Sequence, residues 1–250
     1  MTDEQVSLVC NANPTNRYIC KHLDEKTLNL CKAMLSKLDA GEFKEINPDA
    51  EFDITCLPIP IESIKNGENL QEAKYSDEIN NEFQTLLKTI NHKGTNFEFS
   101  YALLGMQTEE EKYSDAFPMC KGGTQAVNYD WERIEKFLKK DLKNVNFSIF
   151  HTHPKAIGEE HKTLYNEHKE IFEEFGVKPD GLNLSLSDIY ANQYLDMLCE
   201  KYGKDYSPES TVLMHDGTLI SFSTKDGVKL TSEQKLELNK QKNEEQELIL

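Results

Sequence analysis

The apolar positions of the chain alternate between helical and extended patterns. Over DEKTLNLCKAMLSKLDA, residues 24–40, Leu28, Cys31, Leu35 and Leu38 share one face. Asp24 is placed to cap the start and Gly41 to end it, so the spacing predicts a helix. In SDEINNEFQTLLKTIN, residues 76–91, Ile79, Phe83, Leu86, Leu87 and Ile90 recur at helical intervals behind the capping pair Ser76 and Asp77. DWERIEKFLKKDL, residues 130–142, turns Trp131, Ile134, Phe137 and Leu138 inward, and SLSDIYANQYLDMLCEKYG, residues 185–203, ends at Gly203. Between these helices lie extended runs: NFEFSYALLGM (96–106), VNFSIFHTH (145–153) and TVLMHDGTLISFS (211–223). The last reads as a hairpin with Asp216-Gly217 as its type I′ pair. ITCLPIPIESI, interrupted by Pro58 and Pro60, fits an edge strand or an irregular connection.

Three segments are more polar. EFKEINPDAEF, residues 42–52, reads as a linker, and GEEHKTLYNEHKEIFEEFG, residues 158–176, as a charged helix closed by Gly176. The tail from residue 231 opens with a capping-box pair, Thr231 and Gln234, and reads as a helix with a fraying end. Strands alternating with helices, closed by a hairpin, predict an α/β (α+β) fold with a mixed central sheet flanked by helices. The expected organisation is a helical N-terminal extension (1–52), a main domain (53–228) and a helical C-terminal tail (229–250).

Charge and cysteine content narrow the partners and the compartment. The formal net charge of −16 disfavours nucleic acid and anionic membrane surfaces, both of which select clustered Lys and Arg. A protein with a neutral or basic face is easier to accommodate, although acidity also serves solubility alone. The six cysteines contain no C-x-x-C pair, which argues against a thiolate metal cluster. Free cysteines in apolar patterns fit a reducing compartment: the cytoplasm, or a cytosol reached through a specialised secretion system. The first twenty residues lack the basic and apolar regions of a secretory signal, and no apolar run is long enough to span a bilayer.

The chemistry concentrates at FSIFHTHPKA, residues 147–156, where a buried strand ends in two of the chain's seven histidines. Residues i and i+2 of a strand point to the same face, so His151 and His153 project side by side and can reach one ion. Alone, an H-x-H is as readily a surface ladder or a satisfied core pair, and two ligands do not complete a zinc site. Asp188, in the first turn of the 185–203 helix, can be a third ligand. Equally, Ser185, Ser187 and Asp188 can simply cap that helix.

The order of these residues resembles a known family. H-T-H-P followed by S-L-S-D is similar to the signature of the JAMM (MPN+, JAB-domain) metallopeptidases: an upstream Glu, then H-x-H, then S-x-x-D. The family's Glu opens a strand that runs to a glycine directly after an amphipathic helix. Here that reads Glu98 to Gly105 after the 76–91 helix, with Glu98 standing 53 residues before His151. The resemblance covers residues 53–228 and implies a JAB/MPN-like sheet with zinc as cofactor. His151, His153 and Asp188 would hold zinc, Glu98 would be the general acid/base, and Ser185 would assist the oxyanion. It implies hydrolysis of an amide or isopeptide bond by a metal-activated water, with a protein substrate such as ubiquitin or a ubiquitin-like protein. The same resemblance admits a catalytically inactive MPN-type scaffold, or a JAB-like toxin or processing peptidase acting on something other than ubiquitin.

One departure stands out. Thirty-one residues, 154–184, separate His153 from Ser185, far more than the family places there. An insertion at a loop is tolerated because closure entropy grows only slowly with length. Beside the proposed metal it would be a lid or a substrate-reading element. Its own histidines, His161 and His168, share a helical face and are rival ligands, but their Glu, Lys and Asn neighbours favour a solvated face. His22, His92 and His215 have no partnered context. A cysteine hydrolase using Cys120, in PMCKGG, is a further alternative that needs a paired base.

Overall fold

The computed structural model describes residues 24–38, 57–65, 70, 72–92, 97–106, 111–122, 129–140, 145–155, 165–204 and 206–237. In chain order the elements are α1 (Glu25–Leu38), β1 (Pro58–Ile59), α2 (Ile61–Ile64), α3 (Asp77–Asn91), β2 (Phe99–Met106), β3 (Asp115–Lys121) and α4 (Trp131–Leu138). They continue as β4 (Val145–His153), α5 (Lys169–Glu174), β5 (Leu184–Ser185), α6 (Leu186–Lys201), β6 (Glu209–Met214), β7 (Thr218–Ser223) and β8 (Lys229–Lys235). Six strands make one mixed sheet in the order β3-β2-β4-β6-β7-β8. Only the β4–β6 pair is parallel; the other neighbours are antiparallel. The fold is therefore α/β, as the alternating pattern predicts. No helix among the described residues is long and apolar enough to cross a membrane.

Strand β4 lies at the centre, and helices cover both of its faces, so its sequence is a nearly unbroken apolar run. Phe150 faces α3 and packs with Phe83, Leu86, Tyr101 and Leu213. The alternate residues Phe147 and Ile149 face α4 and α6, packing with Ile134, Leu138, Leu195 and Leu198. His151 and His153 continue this second row beyond the apolar part, and so emerge on the α6 side. Helix α3 follows its sequence closely: Ser76 caps it by accepting from Ile79 N, and all five predicted core residues are buried. Each such side chain contributes roughly 1.5–3 kcal/mol through burial.

The segment 57–64 does more than connect. β1 pairs antiparallel with β5, Pro58 opposite Ser185 and Ile59 opposite Leu184, and Leu57 O accepts from Leu186 N at 3.0 Å. The proline-rich stretch thus pins the start of α6, where Ser185 and Asp188 lie.

Several expectations are corrected. The tail from residue 229 does not begin as a helix. Lys229–Lys235 forms β8, paired with β7, with Leu230 and Ser232 turned inward. Alternation at period two and the otherwise open edge of β7 outweigh the short capping-box match at Thr231 and Gln234. Residues 238–250 lie outside the described residues. The hairpin turn is also shifted: Gly217 N donates to Met214 O, so His215 and Asp216 are central and Gly217 follows with φ 89°. That is a turn with a trailing left-handed glycine, not an Asp216-Gly217 type I′ pair.

Helix α1, expected within a separate N-terminal extension, shares the main core. Cys31 and Met34 lie in one apolar cluster with Phe172, Ile189, Val212 and Met214, and Asp24 accepts from Val228 N at 2.9 Å. The side chains of Leu35 and Leu38, the remaining residues of 1–52 and the linker expected at 42–52 lie outside the described residues. The 154–184 segment is likewise packed rather than peripheral. Tyr165, Phe172 and Val177 are buried against α1 and α6. His168, expected on a solvated face, is buried, its ring edge-on to Phe172 at 6.1 Å. An amphipathic element with few apolar residues hides them all on one side, which composition alone does not show. His161 lies outside the described residues.

Candidate metal centre

The register of β2 against β4 brings the first part of the site together. Ser100 is opposite His151, and Phe99 N donates to Thr152 Oγ1 at 3.1 Å. Continued by two residues, the same antiparallel register places Glu98 opposite His153. All three side chains therefore lie on the α6 face of the sheet.

Helix α6 supplies the rest. Ser185 is its N-cap and Asp188 its third residue, and they form a capping box. Ser185 Oγ accepts from Asp188 N at 3.3 Å, and Asp188 Oδ2 accepts from Ser185 N at 2.7 Å. Asp188 also meets the histidines: Oδ1 lies 3.0 Å from His151 Nε2, and Oδ2 lies 3.6 Å from His153 Nε2. The two Nε2 atoms are 3.0 Å apart. Capping and ligation are therefore compatible, because one carboxylate can do both.

His151, His153 and Asp188 can hold a metal ion. Their ligand atoms all lie within 4.8 Å of one another. A four-coordinate ion with bonds of about 2.0–2.1 Å needs ligand atoms roughly 3.3–3.4 Å apart. His151 Nε2 lies 3.0 Å from both His153 Nε2 and Asp188 Oδ1, close to that edge length, while the 3.6 Å approach to His153 is made by the other carboxylate oxygen, Oδ2. Two imidazoles and one carboxylate leave a fourth position open, as catalytic sites do. Among the described residues no other group of His, Cys, Asp and Glu side chains converges in this way.

The electrostatics fit a site built for positive charge. Burial works against ionised Asp188, but His151 first, then His153 and the Ser185 N–H, outweigh it and hold the carboxyl well below its usual range. Burial also works against a charged His151, yet the facing Asp188 carboxylate and then Glu98 raise its pKa above the ordinary histidine value. Glu98 is pushed up to about 8, chiefly by burial, with His151 pulling the other way and Asp188 adding to the rise.

Ser185 is partly exposed, and its hydroxyl also lies 2.6 Å from Ser187 Oγ. Cys120 is exposed on edge strand β3. It shares Ser100 with His151 as a register partner across two strand spacings, roughly 9–10 Å. Tyr129 escaped the sequence reading altogether. Its hydroxyl lies 2.9 Å from His151 Nδ1, on the side of the ring away from Asp188. No periodicity links a residue just before α4 to the end of β4, so the contact exists only in the folded chain.

No family model matches this chain, and neither a curated protein nor a solved structure matches it.

Proposed function

We propose that the chain is a zinc-dependent metallopeptidase of the JAMM type that hydrolyses amide or isopeptide bonds in protein substrates. The observation that carries this reading is the convergence of His151, His153 and Asp188, with Glu98 buried beside them. Strand–helix order and donor chemistry both agree with the resemblance noted in the sequence.

Zinc held by two imidazoles and one carboxylate supplies Lewis acidity toward a carbonyl oxygen and toward water. Glu98 accepts the proton of the attacking water and later delivers it to the leaving amine. Burial raises this carboxyl well above the ordinary range, so it holds a transferred proton more readily than an exposed glutamate would. Ser185 Oγ accepts from Asp188 N, and with Ser187 as the donor in their 2.6 Å pair its own hydrogen can go to the developing oxyanion, a role worth roughly 10²–10³ in rate. Asp188, fixed by the capping box, stays ionised and oriented toward both histidines. Ubiquitin or a ubiquitin-like protein joined through a lysine is the substrate class we favour, and the net charge of −16 suits a basic partner.

The test is elemental analysis of the purified chain, followed by cleavage of ubiquitin chains with and without a chelator. We expect one zinc per chain, chelator-sensitive cleavage, loss of zinc in His151→Ala and His153→Ala, and retained zinc with no cleavage in Glu98→Gln. Cleavage by metal-free protein would overturn the reading. Bound zinc with intact ubiquitin chains would redirect it to another peptide substrate or to a binding scaffold.

A further inference from the structure

We infer that Tyr129 is a positioning residue for this centre: its phenolic oxygen accepts the Nδ1–H of His151 and so commits Nε2 of that imidazole to the ion. This rests on the metal reading above and extends it to a residue outside the family signature.

A ligating imidazole must present a lone pair on one nitrogen, and the partner of the other nitrogen decides which tautomer is present. His151 Nε2 faces His153 and Asp188, while Nδ1 faces Tyr129 Oη at 2.9 Å. The two rings meet edge to face, at 85° and 6.3 Å between centroids. Tyr129 is itself buried. Its ring packs on Trp131 at 5.4 Å, and Trp131 packs on Tyr194 at 4.7 Å. Tyr194 belongs to α6, the helix that carries Asp188. One aromatic chain thus fixes Tyr129 against both elements that supply ligands.

The choice of a phenol has a chemical consequence. A phenol can accept from the imidazole without the formal charge that a carboxylate would add beside Asp188. A hydroxyl can also reverse roles. Where Nε2 carries the proton, it can donate to Asp188 Oδ1 at 3.0 Å while Tyr129 donates to Nδ1. With metal, Nδ1 donates to Tyr129. A carboxylate in this place could accept only.

The test compares the full-length wild type with Tyr129→Phe, which removes one oxygen and keeps the ring packing. Zinc affinity is read by competition with a chelator, and the His151 tautomer by NMR of the ¹⁵N-histidine-labelled, zinc-loaded protein. We expect zinc binding weakened about 10–100-fold in Tyr129→Phe. We also expect an exchange-protected proton on His151 Nδ1 in the wild type that loses its protection in the variant. Unchanged affinity and an unchanged Nδ1 proton would overturn the inference while leaving the metallopeptidase reading intact. A wild type that binds no zinc would overturn both. Should Tyr129→Phe fail to fold, the wild-type spectrum decides: a His151 proton on Nδ1 that exchanges freely with solvent overturns the assignment.

Discussion

The backbone nitrogen of Ser185 donates to Asp188 Oδ2 at 2.7 Å while the other oxygen of the same carboxylate faces His151 Nε2 at 3.0 Å. Helix capping and ligand orientation are thus one interaction. The main chain, not the serine side chain, holds the carboxylate in place. Ser185→Ala should therefore keep its zinc, lose about 1 kcal/mol of stability with the cap hydroxyl, and lose roughly 10²-fold or more in hydrolysis. Asp188→Ala should lose the metal. Zinc titration beside thermal unfolding checks both; a Ser185→Ala protein that sheds zinc as Asp188→Ala does would contradict the division of roles.

Gly105 closes the stretch that begins at Glu98, and its role is steric. A Cβ at this position would lie 2.1 Å from Lys112 O and 2.7 Å from Tyr113 Cα, where the returning hairpin crosses β2. These are backbone atoms, so no side chain can swing aside. Gly105→Ala should cost stability at or above the upper end of the ~1–3 kcal/mol typical of overpacking. Denaturant unfolding reads this directly, and an unchanged midpoint would show that the hairpin shifts freely.

Much of this site was legible because strand arithmetic is local. His151 and His153 had to share a face, while Glu98 and Ser185 were singled out only through the family resemblance, by their order in its signature. The ambiguity at Asp188 could not be resolved from spacing, since ligand and cap demand the same residue at the same helical position. What escaped depended on long-range packing. Tyr129 meets His151 across 22 positions with no period to reveal it. The strand at 229–235 was hidden behind a four-residue capping pattern, although Leu230 and Ser232 already alternate. His168 sits among charged neighbours in sequence yet is buried, because α5 turns its few apolar residues onto α1 and α6.

That packing changes what removal of the 158–176 segment should do. Phe172 is 2% exposed, stacks on Tyr165 with centroids 5.9 Å apart, and shares the core with Cys31 and Met34 of α1. Lys37 and Glu174 form an ion pair at the rim of the same contact. Phe172→Ala should cost about 3–5 kcal/mol, the usual range for a buried aromatic. Deleting the segment should unfold the domain rather than merely alter substrate choice. Circular dichroism and thermal scans of both variants check this; a stably folded deletion would return the segment to the role of a lid.

Asp196 makes the stability of the chain depend on pH at a place away from the metal centre. Burial pushes its carboxyl from 3.8 up to about 6, against the Thr224 hydroxyl and Lys225 but with help from Asp226 and Glu200. Thr224 Oγ1 lies 2.6 Å from Asp196 Oδ2 and 2.7 Å from Asn192 Oδ1. One hydroxyl hydrogen cannot serve both: Thr224 donates to Asp196 while the carboxylate is ionised, and is free to donate to Asn192 once the protonated carboxyl donates to it. The folded carboxyl holds its proton more tightly than the unfolded one. Its contribution to stability is therefore complete below about 3.8 and is lost as pH rises through about 6. Asp196→Asn keeps a donor to Thr224 and cannot ionise. It should be more stable than the wild type by about 1–2 kcal/mol at pH 7.5, allowing for the partial exposure of the group, and show no gain at pH 4. Urea unfolding of both proteins at these two pH values measures the difference with other titrations cancelled. An equal gain at both, or a loss at pH 7.5, would show that Asp196 is ionised in the folded chain and held by its neighbours instead.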